Sequence, residues 1–415
     1  MQAIYQKLKG DKVIWMVTIA LAIFSLLAVY SAVGALSVKR GSSIGILIKH
    51  GIMLSAGLFV VYWVHLMKFK YFSKISQILI WIAAALLLVT LLFGLNINGA
   101  SRWIKIPIIN QTLQTSDFAK IVLIMYTARL LTSKRLQLHS FREGVIPVLL
   151  PVLGICALIF PANFSTAALL FAVCLVLMFI AGVHIKHIGI IVGSALLGLF
   201  LMFSLYKINP ELVPSRAGTW MSRIEMFFTG ESSSNTATDY QSEEALAAIY
   251  RGGVFPSLPG TAHARNSMPH AYSDMIYAFI IEEYGSIFGG LGILLLYLIF
   301  FFRSVRLALK CPKHFGGLLA LGLSMLLVFQ ALINMMVSVN LIPVTGQPLP
   351  LVSMGGTSIL FTCFAIGIIL SVSRSVYDED YELESITDKN IANPVKKMKP
   401  ENTTIETEKE EHVFA

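Results

Sequence analysis

Charged residues are scarce in this chain: Asp, Glu, Lys and Arg make up 13% of its 415 residues, whereas 56% are hydrophobic. Charged residues are about a quarter of a typical soluble domain. The deficit therefore excludes an ordinary soluble fold. The apolar residues come in runs of about 18 or more, the length that crosses a hydrocarbon core of about 30 Å. The sequence predicts an all-α integral membrane protein with about ten transmembrane helices.

Cysteine is also scarce, with four residues in the chain. Cys156, Cys174 and Cys363 lie within apolar runs, and Cys311 lies in a short basic loop. The sequence contains no CxxC pair and no Cys/His cluster, which excludes a disulfide framework and a zinc motif. We interpret the four cysteines as packing side chains.

Acidic residues are outnumbered, because 23 Asp and Glu face 32 Lys and Arg, for a formal net charge of +9. In a soluble protein such an excess suggests nucleic acid as a partner. Here the basic residues mostly lie in short loops between apolar runs, which is the arrangement that membrane topology produces by itself. We therefore predict membrane lipids, and no nucleic acid, as partners.

Ten apolar segments have the length and low polarity of membrane-spanning helices. The first is too long for the apolar core of a cleavable signal peptide, and further spans follow it. The turn at 161–163 is so short that the fifth and sixth spans should form a tight hairpin. The predicted spans are 13–33, 44–64, 77–95, 116–132, 145–160, 164–182, 188–206, 274–302, 315–338 and 354–373.

The distribution of Lys and Arg in the short loops predicts the orientation. Basic residues are concentrated before the first span and after the second, fourth, sixth and eighth, whereas 339–352 contains none. With an even number of spans, both termini are predicted to be cytoplasmic. Segment 207–273, between the seventh and eighth spans, then becomes a large extracytoplasmic loop.

Three regions follow from this topology: a cytoplasmic N-terminus 1–12, a polytopic membrane domain 13–375 and a cytoplasmic tail 376–415. The tail mixes Asp, Glu and Lys with Asn, Thr and Pro. Such a composition buries too little apolar surface to fold alone, so we predict a disordered tail. It is either a solvated end or a docking site for cytoplasmic partners.

Polar residues inside spans are costly unless they are paired or hydrated, so each is a candidate functional residue. Asp117 and Lys120 stand one helical turn apart, so they form either an ion pair or part of a ligand site. Gln330 and Asn334 have the same spacing and serve as hydrogen-bond partners between helices or as ligands.

Two adjacent acids, Glu282 and Glu283, fall about two turns into the eighth span, about 12 Å below Asp274 by helical rise. Lys49 and His50 lie in the second span. Pairing with these bases inside the bundle is the structural interpretation of the two acids. A functional role is the alternative.

The outer loops carry the richest group of polar residues. Arg102 and Trp103 suit a phosphate and the headgroup level, respectively, or act together as an interfacial anchor. Asp274 follows Ser273, a plausible N-cap, and either complements the helix dipole or has a chemical role. The large loop contributes further candidates, which are Arg216, Arg223, Gln241, Arg251, His263, Arg265 and His270.

Several segments, in this order, resemble motifs of the SEDS family, the shape, elongation, division and sporulation proteins. The resemblance covers about 13–375 and is closest to the division members at Asn98–Ile104. The matching segments are Asn98-Gly-Ala-Ser-Arg-Trp-Ile104, Gln114-Thr-Ser-Asp-Phe-Ala-Lys120, Tyr240-Gln241, Ala248-Ile249, Gly252-Gly253, Pro269-His-Ala-Tyr-Ser-Asp274, Glu282-Glu283-Tyr-Gly285, Gln330-Ala-Leu-Ile-Asn334, Pro343-Val-Thr-Gly346, Pro348-Leu-Pro350 and Ser353-Met-Gly-Gly-Thr-Ser358.

This resemblance implies a peptidoglycan glycosyltransferase in the bacterial cytoplasmic membrane, at the division septum. The implied substrate is lipid II, a disaccharide-pentapeptide on undecaprenyl pyrophosphate, which the enzyme joins through β-1,4 bonds at the outer leaflet. The implied partners are a class B penicillin-binding protein and other division proteins.

The resemblance also implies roles for individual residues. Asp274 matches the essential catalytic Asp, and we expect it to deprotonate the acceptor 4-hydroxyl as a general base. Positive charge must stabilise the departing phosphates, supplied by side chains and optionally by Mg²⁺ or Mn²⁺. No metal ligands are identified. The expected substrate-binding residues are Arg102, Gln114, Lys120, Arg216, Arg223 and Gln241, and the expected supporting residues are Glu282, Glu283, Asn334 and Ser353.

Three segments depart from the family pattern. An acid of the family is missing from the turn 161–166, where Asn163 stands. His270 and Tyr272 replace a Glu and a His just before Asp274. A glycine-rich run of the large loop is replaced by 255–260, so the path of that loop is expected to differ.

Other functions stay open at this point. A lipid II flippase or transporter should concentrate ionisable groups near the membrane midplane, often on broken helices. The richest polar group lies in an outer loop, which favours an enzyme. Two alternatives remain. The chain is either a scaffold that recruits a transpeptidase or a polymerase of the elongation type. The motif at Asn98–Ile104 favours a role in division.

Overall fold

The computed structural model of the chain describes residues 9–33, 43–97, 100–106, 111–209, 216–229, 237–257, 260, 262–267 and 273–392. Within these residues the chain forms fourteen α-helices and one three-stranded sheet. Among the predicted site residues, His270 and Tyr272 and the side chain of Arg265 lie outside the described part.

The first seven helices correspond to the first seven predicted spans. They are α1 (Lys12–Val33), α2 (Ser43–Leu66), α3 (Lys70–Phe93), α4 (Thr115–Ser133), α5 (Ile146–Ile159), α6 (Phe164–Ile180) and α7 (Ile185–Ile208).

The second half begins with short helices of the large loop and ends with long helices. These are α8 (Ala217–Thr229), α9 (Ala237–Gly252), α10 (Ala264–Ser267), α11 (Ile276–Tyr284), α12 (Gly292–Lys310), α13 (His314–Ser338) and α14 (Gly356–Ala392).

The helices confirm the prediction of a multi-pass membrane protein. In the described ranges, eight segments are long and apolar enough to cross a membrane, and α6 is apolar but shorter. The one predicted span not among these nine is the fourth, 116–132, which corresponds to α4 and carries Asp117, Lys120 and Arg129. Neighbouring helices α3, α5, α6 and α13 surround α4. Its polar residues are therefore covered by protein rather than by lipid.

The prediction of an all-α fold missed a small antiparallel sheet between α3 and α4. Its strands are β1 (Leu95–Ile97), β2 (Ala100–Ile106) and β3 (Gln111–Gln114), in the order β1-β2-β3. In the pairing of β2 with β3, Trp103 lies opposite Gln114. β3 leads directly into α4. The sheet thus fixes two predicted substrate-binding positions, Arg102 and Gln114, at one end of the bundle.

The eighth predicted span, 274–302, corresponds to one candidate span, Ile276–Lys310, but its helix is interrupted. α11 stops at Gly285, whose φ of +74° lies in the left-handed region that glycine tolerates. A π-helical segment, Gly285–Leu291, leads on to α12. A straight helix over all 35 residues from 276 to 310 would measure about 50 Å, against about 30 Å of hydrocarbon.

α11 lies at the level where other helices end. Its residues Ala278 and Phe279 pack in one buried cluster with Ala32, at the end of α1, and Val337, at the end of α13. The acids at 282–283 are therefore near this end of the bundle and not deep in a span. We call it the outer end, because the basic-loop pattern predicts that it faces away from the cytoplasm.

The last helix extends beyond the predicted boundary at 375. α14 continues to Ala392, so the segment predicted to be a disordered tail begins as helix. The remainder of that tail, 393–415, lies outside the described residues.

Candidate active site

A cavity of about 420 Å³ opens at the outer end of the bundle. The sheet, α8, α9, the residues before α11 and the chain after α13 all contribute to its lining. Six residues predicted from sequence line it together: Asp274, Arg102, Gln114, Arg216, Arg223 and Gln241. Their roles in catalysis and binding stay predictions.

Three hydrogen bonds hold the carboxylate of Asp274 and the backbone beside it in place. Ser273 Oγ donates to Asp274 Oδ1 at 2.8 Å, so Ser273 does not cap the helix as expected. Asn334 Nδ2 donates to the Asp274 carbonyl at 2.7 Å, and Ser353 Oγ donates to the Ser273 carbonyl at 2.7 Å. The predicted supporting residues Asn334 and Ser353 thus hold the backbone carbonyls of Asp274 and Ser273.

Three arginines give the cavity a positive field. Two of them, Arg102 and Arg216, donate to the Ala162 carbonyl at 2.8 and 3.0 Å, and Arg223 donates to the Val344 carbonyl at 3.0 Å. Within the described ranges no salt bridge joins any of the three to Asp274. Three cations around one carboxylate leave net positive charge for an anionic ligand.

The electrostatics of the arginines follow from burial and crowding. Burial, together with smaller effects of the neighbouring Arg216 and Arg223, lowers the pKa of Arg102 to about 10, and Asp274 opposes this shift. Burial also lowers the pKa of Arg216 and of Arg223. At neutral pH all three guanidinium groups keep their charge.

Lys120 does not line the cavity, in contrast to the expected substrate contact. Its Nζ lies 2.9 Å from Asp117 Oδ1 and 3.0 Å from Gln330 Oε1. The side chains of Lys120 and Asp117 are 7% and 5% exposed. The ammonium is therefore engaged inside the protein, which favours the ion-pair interpretation over a ligand site.

The chain between α13 and α14 turns back into the bundle without forming a helix, and we call residues 343–353 the strap. Five of its carbonyls accept hydrogen bonds from side chains of other elements. These bonds run from Arg223 to Val344, from Asn334 to Gln347, from Gln330 to Pro348, from Tyr297 to Pro350 and from Ser25 to Val352. Irregular backbone among membrane helices is tolerated when protein groups satisfy it in this way.

Gly346 of the strap lies directly against the carboxylate of Asp274. Its φ is +65°, and a Cβ placed on it would lie 3.4 Å from Asp274 Oδ2. The strap residues that line the cavity were missed as site residues. The motif Pro343–Ser358 was the available signal, because it interrupts the apolar pattern at a span end.

The predicted pairing of Glu282 and Glu283 with Lys49 or His50 was wrong. The carboxylate of Glu282 accepts hydrogen bonds from Arg251 Nε at 2.7 Å and from the backbone N–H groups of His263 and Ala264 at 3.1 and 3.0 Å.

Glu283 accepts from Ser31 Oγ and from the Gly260 N–H. His50 instead bonds Ser25, and Lys49 is exposed. The two acids therefore attach the large loop to α11, the helix that follows Asp274.

Asn163, which stands at a departure from the family pattern, caps α6. Its side chain accepts from the Thr166 N–H at 3.3 Å. Thr166 Oγ1 in turn accepts from Gln347 Nε2 of the strap at 3.0 Å. This turn has a structural role that needs no acid.

The chain matches the FtsW, RodA and SpoVE family of cell cycle proteins over residues 11–378. Stage V sporulation protein E of Bacillus subtilis (strain 168) is 30% identical over 380 residues, which are 89% of this chain and 98% of that protein. A probable peptidoglycan glycosyltransferase FtsW of Enterococcus hirae is 31% identical over 392 residues, covering 91% and 96% of the two chains.

Solved structures share the fold. A chain of a peptidoglycan synthase complex that coordinates polymerization and crosslinking superimposes with a TM-score of 0.71 at 22% identity, covering 89% of this chain and 98% of that one. The rod shape determining protein RodA of Thermus thermophilus gives a TM-score of 0.62 at 22% identity and the same coverage. This chain belongs to the FtsW, RodA and SpoVE family.

Proposed function

We propose that this chain is a peptidoglycan glycosyltransferase that polymerises lipid II into β-1,4 glycan strands at the outer leaflet, with Asp274 as general base. One observation carries the proposal: among the residues that the structure describes, one carboxylate and three arginines line a cavity at the outer end of a membrane bundle. The names of relatives in the family agree with this chemistry.

The proposed reaction needs one base and one anion site. Asp274 removes the proton of the acceptor 4-hydroxyl, the oxygen attacks the anomeric carbon of the donor, and the bond to the pyrophosphate breaks. The pyrophosphate departs as an anion, so no second carboxylic acid is needed, and a single displacement inverts the anomeric centre. Arg102, Arg216 and Arg223 stabilise the departing phosphates.

A divalent cation is compatible with this cavity but is not required by it. Asp274 is the one carboxylate residue among the described lining residues. Mg²⁺ commonly binds through one or two carboxylates together with substrate phosphates and water. Asp274 could hold Mg²⁺ or Mn²⁺ against the pyrophosphate, where the ion would add positive charge.

A nearby apolar recess suits a substrate with a lipid tail. It has a volume of about 590 Å³ between α5, α6 and α7. Phe160 and Phe164 line it and also pack against Trp220 of α8, with ring centroids 5.2 Å from each. Since α8 also carries Arg223, the recess and the polar cavity are neighbours.

The flippase alternative loses its main residues. Glu282 and Glu283 attach the loop, and Lys49 is exposed rather than facing a central polar path.

We propose a septal division role with a class B penicillin-binding protein and other division proteins as partners. It rests on the motif at 98–104 and the FtsW relatives. A sporulation protein and RodA among the similar proteins keep the elongation-type alternative testable.

The function is tested with the full chain, purified with its class B partner and supplied with labelled lipid II. We expect glycan strands of many disaccharides on a gel, and no lipid II translocation when the chain is placed in vesicles. Translocation without polymer would replace the proposal by the flippase function. A chain that only activates its partner's crosslinking would replace it by the scaffold function.

Replacing Arg102 by Gln should raise the KM for lipid II by about tenfold to a hundredfold, because a hydrogen bond to a charged group contributes about 1.5–3 kcal/mol. Since the pKa of Arg102 is about 10, the affinity of the unmodified chain should fall only as pH rises through that value. Initial polymerisation rates at several lipid II concentrations measure both effects.

Lys105→Gln is the matched control, because Lys105 stands on the same strand, loses the same charge and is exposed outside the cavity. Equal changes in the KM for Arg102→Gln and Lys105→Gln would remove Arg102 from the proposed clamp.

A further inference from the structure

Two further cavities lie at the opposite end of the bundle from Asp274, where α1, α12 and α14 converge. Their volumes are about 640 and 160 Å³. Arg303 and Tyr377 line both, so these two side chains form a shared wall. The basic-loop pattern predicts that this end faces the cytoplasm.

The lining of the two cavities is strongly basic. The two acids of the lining, Asp11 and Asp378, are outnumbered by five bases, which are Lys9, Lys12, Arg303, Arg306 and Lys310. Asp11 is 4% exposed, accepts from the first N–H groups of α1 and pairs with Arg303 at 2.6 Å. Asp378 pairs with Lys9 at 3.4 Å and with Arg374 at 3.6 Å. Both acids are thus already neutralised by bases.

Positive charge therefore remains beside the smaller cavity. Arg306 and Lys310 are exposed on the last turns of α12, and in the described part of the chain neither forms a salt bridge. Arg306 lies over the ring of Phe302, with 5.4 Å to the centroid. Apolar side chains accompany the charges, with Val13 in the larger cavity and Leu307 in the smaller one.

We propose that these two cavities bind the phosphate headgroup of an anionic phospholipid from the cytoplasmic leaflet. Basic pockets between helices at this level recognise such headgroups, and their apolar walls receive the first carbons of the chains. The two cavities adjoin at Arg303 and together carry five bases against two acids, which fits a headgroup with two phosphates better than a headgroup with one. Cardiolipin is the bacterial lipid chemistry that meets this description.

The test uses the purified full chain in detergent, with bound lipid counted by native mass spectrometry and stability followed as Tm. Wild type should retain cardiolipin and gain Tm from it, more than from phosphatidylglycerol and not from phosphatidylcholine. The double variant Arg306→Gln/Lys310→Gln should bind cardiolipin about thirtyfold more weakly, from about 1 kcal/mol for each charge near the surface. Both positions are exposed, so the variant should fold.

The control is Lys68→Gln/Lys74→Gln, two exposed bases at the same end of the bundle but outside both cavities. Unchanged affinity in this control supports the proposal. Equal weakening in both double variants would overturn it in favour of general attraction to basic loops. Equal Tm gain from inorganic phosphate would overturn the lipid assignment and leave a free-phosphate site.

Discussion

Replacing Asp274 by Asn should lower the rate of glycan polymerisation by about 10²- to 10⁴-fold, the usual contribution of a positioned general base. Asparagine has the size of aspartate and can still accept from Ser273, but it cannot take up the acceptor proton. The bond from Asn334 reaches the backbone carbonyl at this position and not the side chain. The substitution therefore removes the base and keeps the local structure.

The measurement is the single-turnover rate with saturating lipid II, beside the Tm of each variant. An unchanged Tm with a lost rate assigns the effect to chemistry. Ser273→Ala is the matched control, since it removes only the 2.8 Å bond to Asp274 Oδ1. Ser273→Ala should lower the single-turnover rate by about tenfold or less. Near-normal polymerisation by a folded Asp274→Asn or Asp274→Ala variant would end the assignment of this residue as the base.

Replacing Lys120 by Met should destabilise the chain by about 3–5 kcal/mol, because it leaves the carboxylate of Asp117 buried without its partner. The pair is buried on both sides, so added salt should screen it little. Gln330 would also lose a donor at 3.0 Å while still bonding Pro348 of the strap. Thermal unfolding of the purified variant is the measurement.

The double variant Asp117→Asn/Lys120→Met distinguishes structure from substrate binding. It removes both charges, so much of the lost stability should return, as found for buried pairs replaced together. Polymerisation should return with it if Lys120 acts only within the protein. A double variant that is stable yet inactive would restore Lys120 as a substrate contact.

The membrane spans could be predicted from sequence because about twenty apolar residues in a row are a local signal. The break after α11 gave no such signal. Segment 285–291 contains three glycines but no charged residue, and only the φ of Gly285 and the packing of Ala278 against other helix ends show where the helix stops. The sheet was missed for a related reason, since its strands are short and the prediction treated the whole segment as loop.

The site was predictable in chemistry but not in its support. A carboxylate and several arginines in outer loops follow from the reaction that the family resemblance implies, and the cavity brings Arg102 and Asp274 together from distant parts of the chain. The partners of Glu282 were not predictable, because Arg251, His263 and Ala264 come from a loop without hydrophobic periodicity. A charged residue in an apolar segment indicates that some partner is present, but not which residue that partner is.

The strap also has a consequence for how this chain can change over evolutionary time. Its five carbonyls find their donors on α1, α8, α12 and α13, so each bond depends on one register of the backbone. A side-chain substitution within the strap leaves those carbonyls in place, whereas a one-residue insertion or deletion displaces every carbonyl beyond it at once. Length should therefore be more constrained here than amino-acid identity.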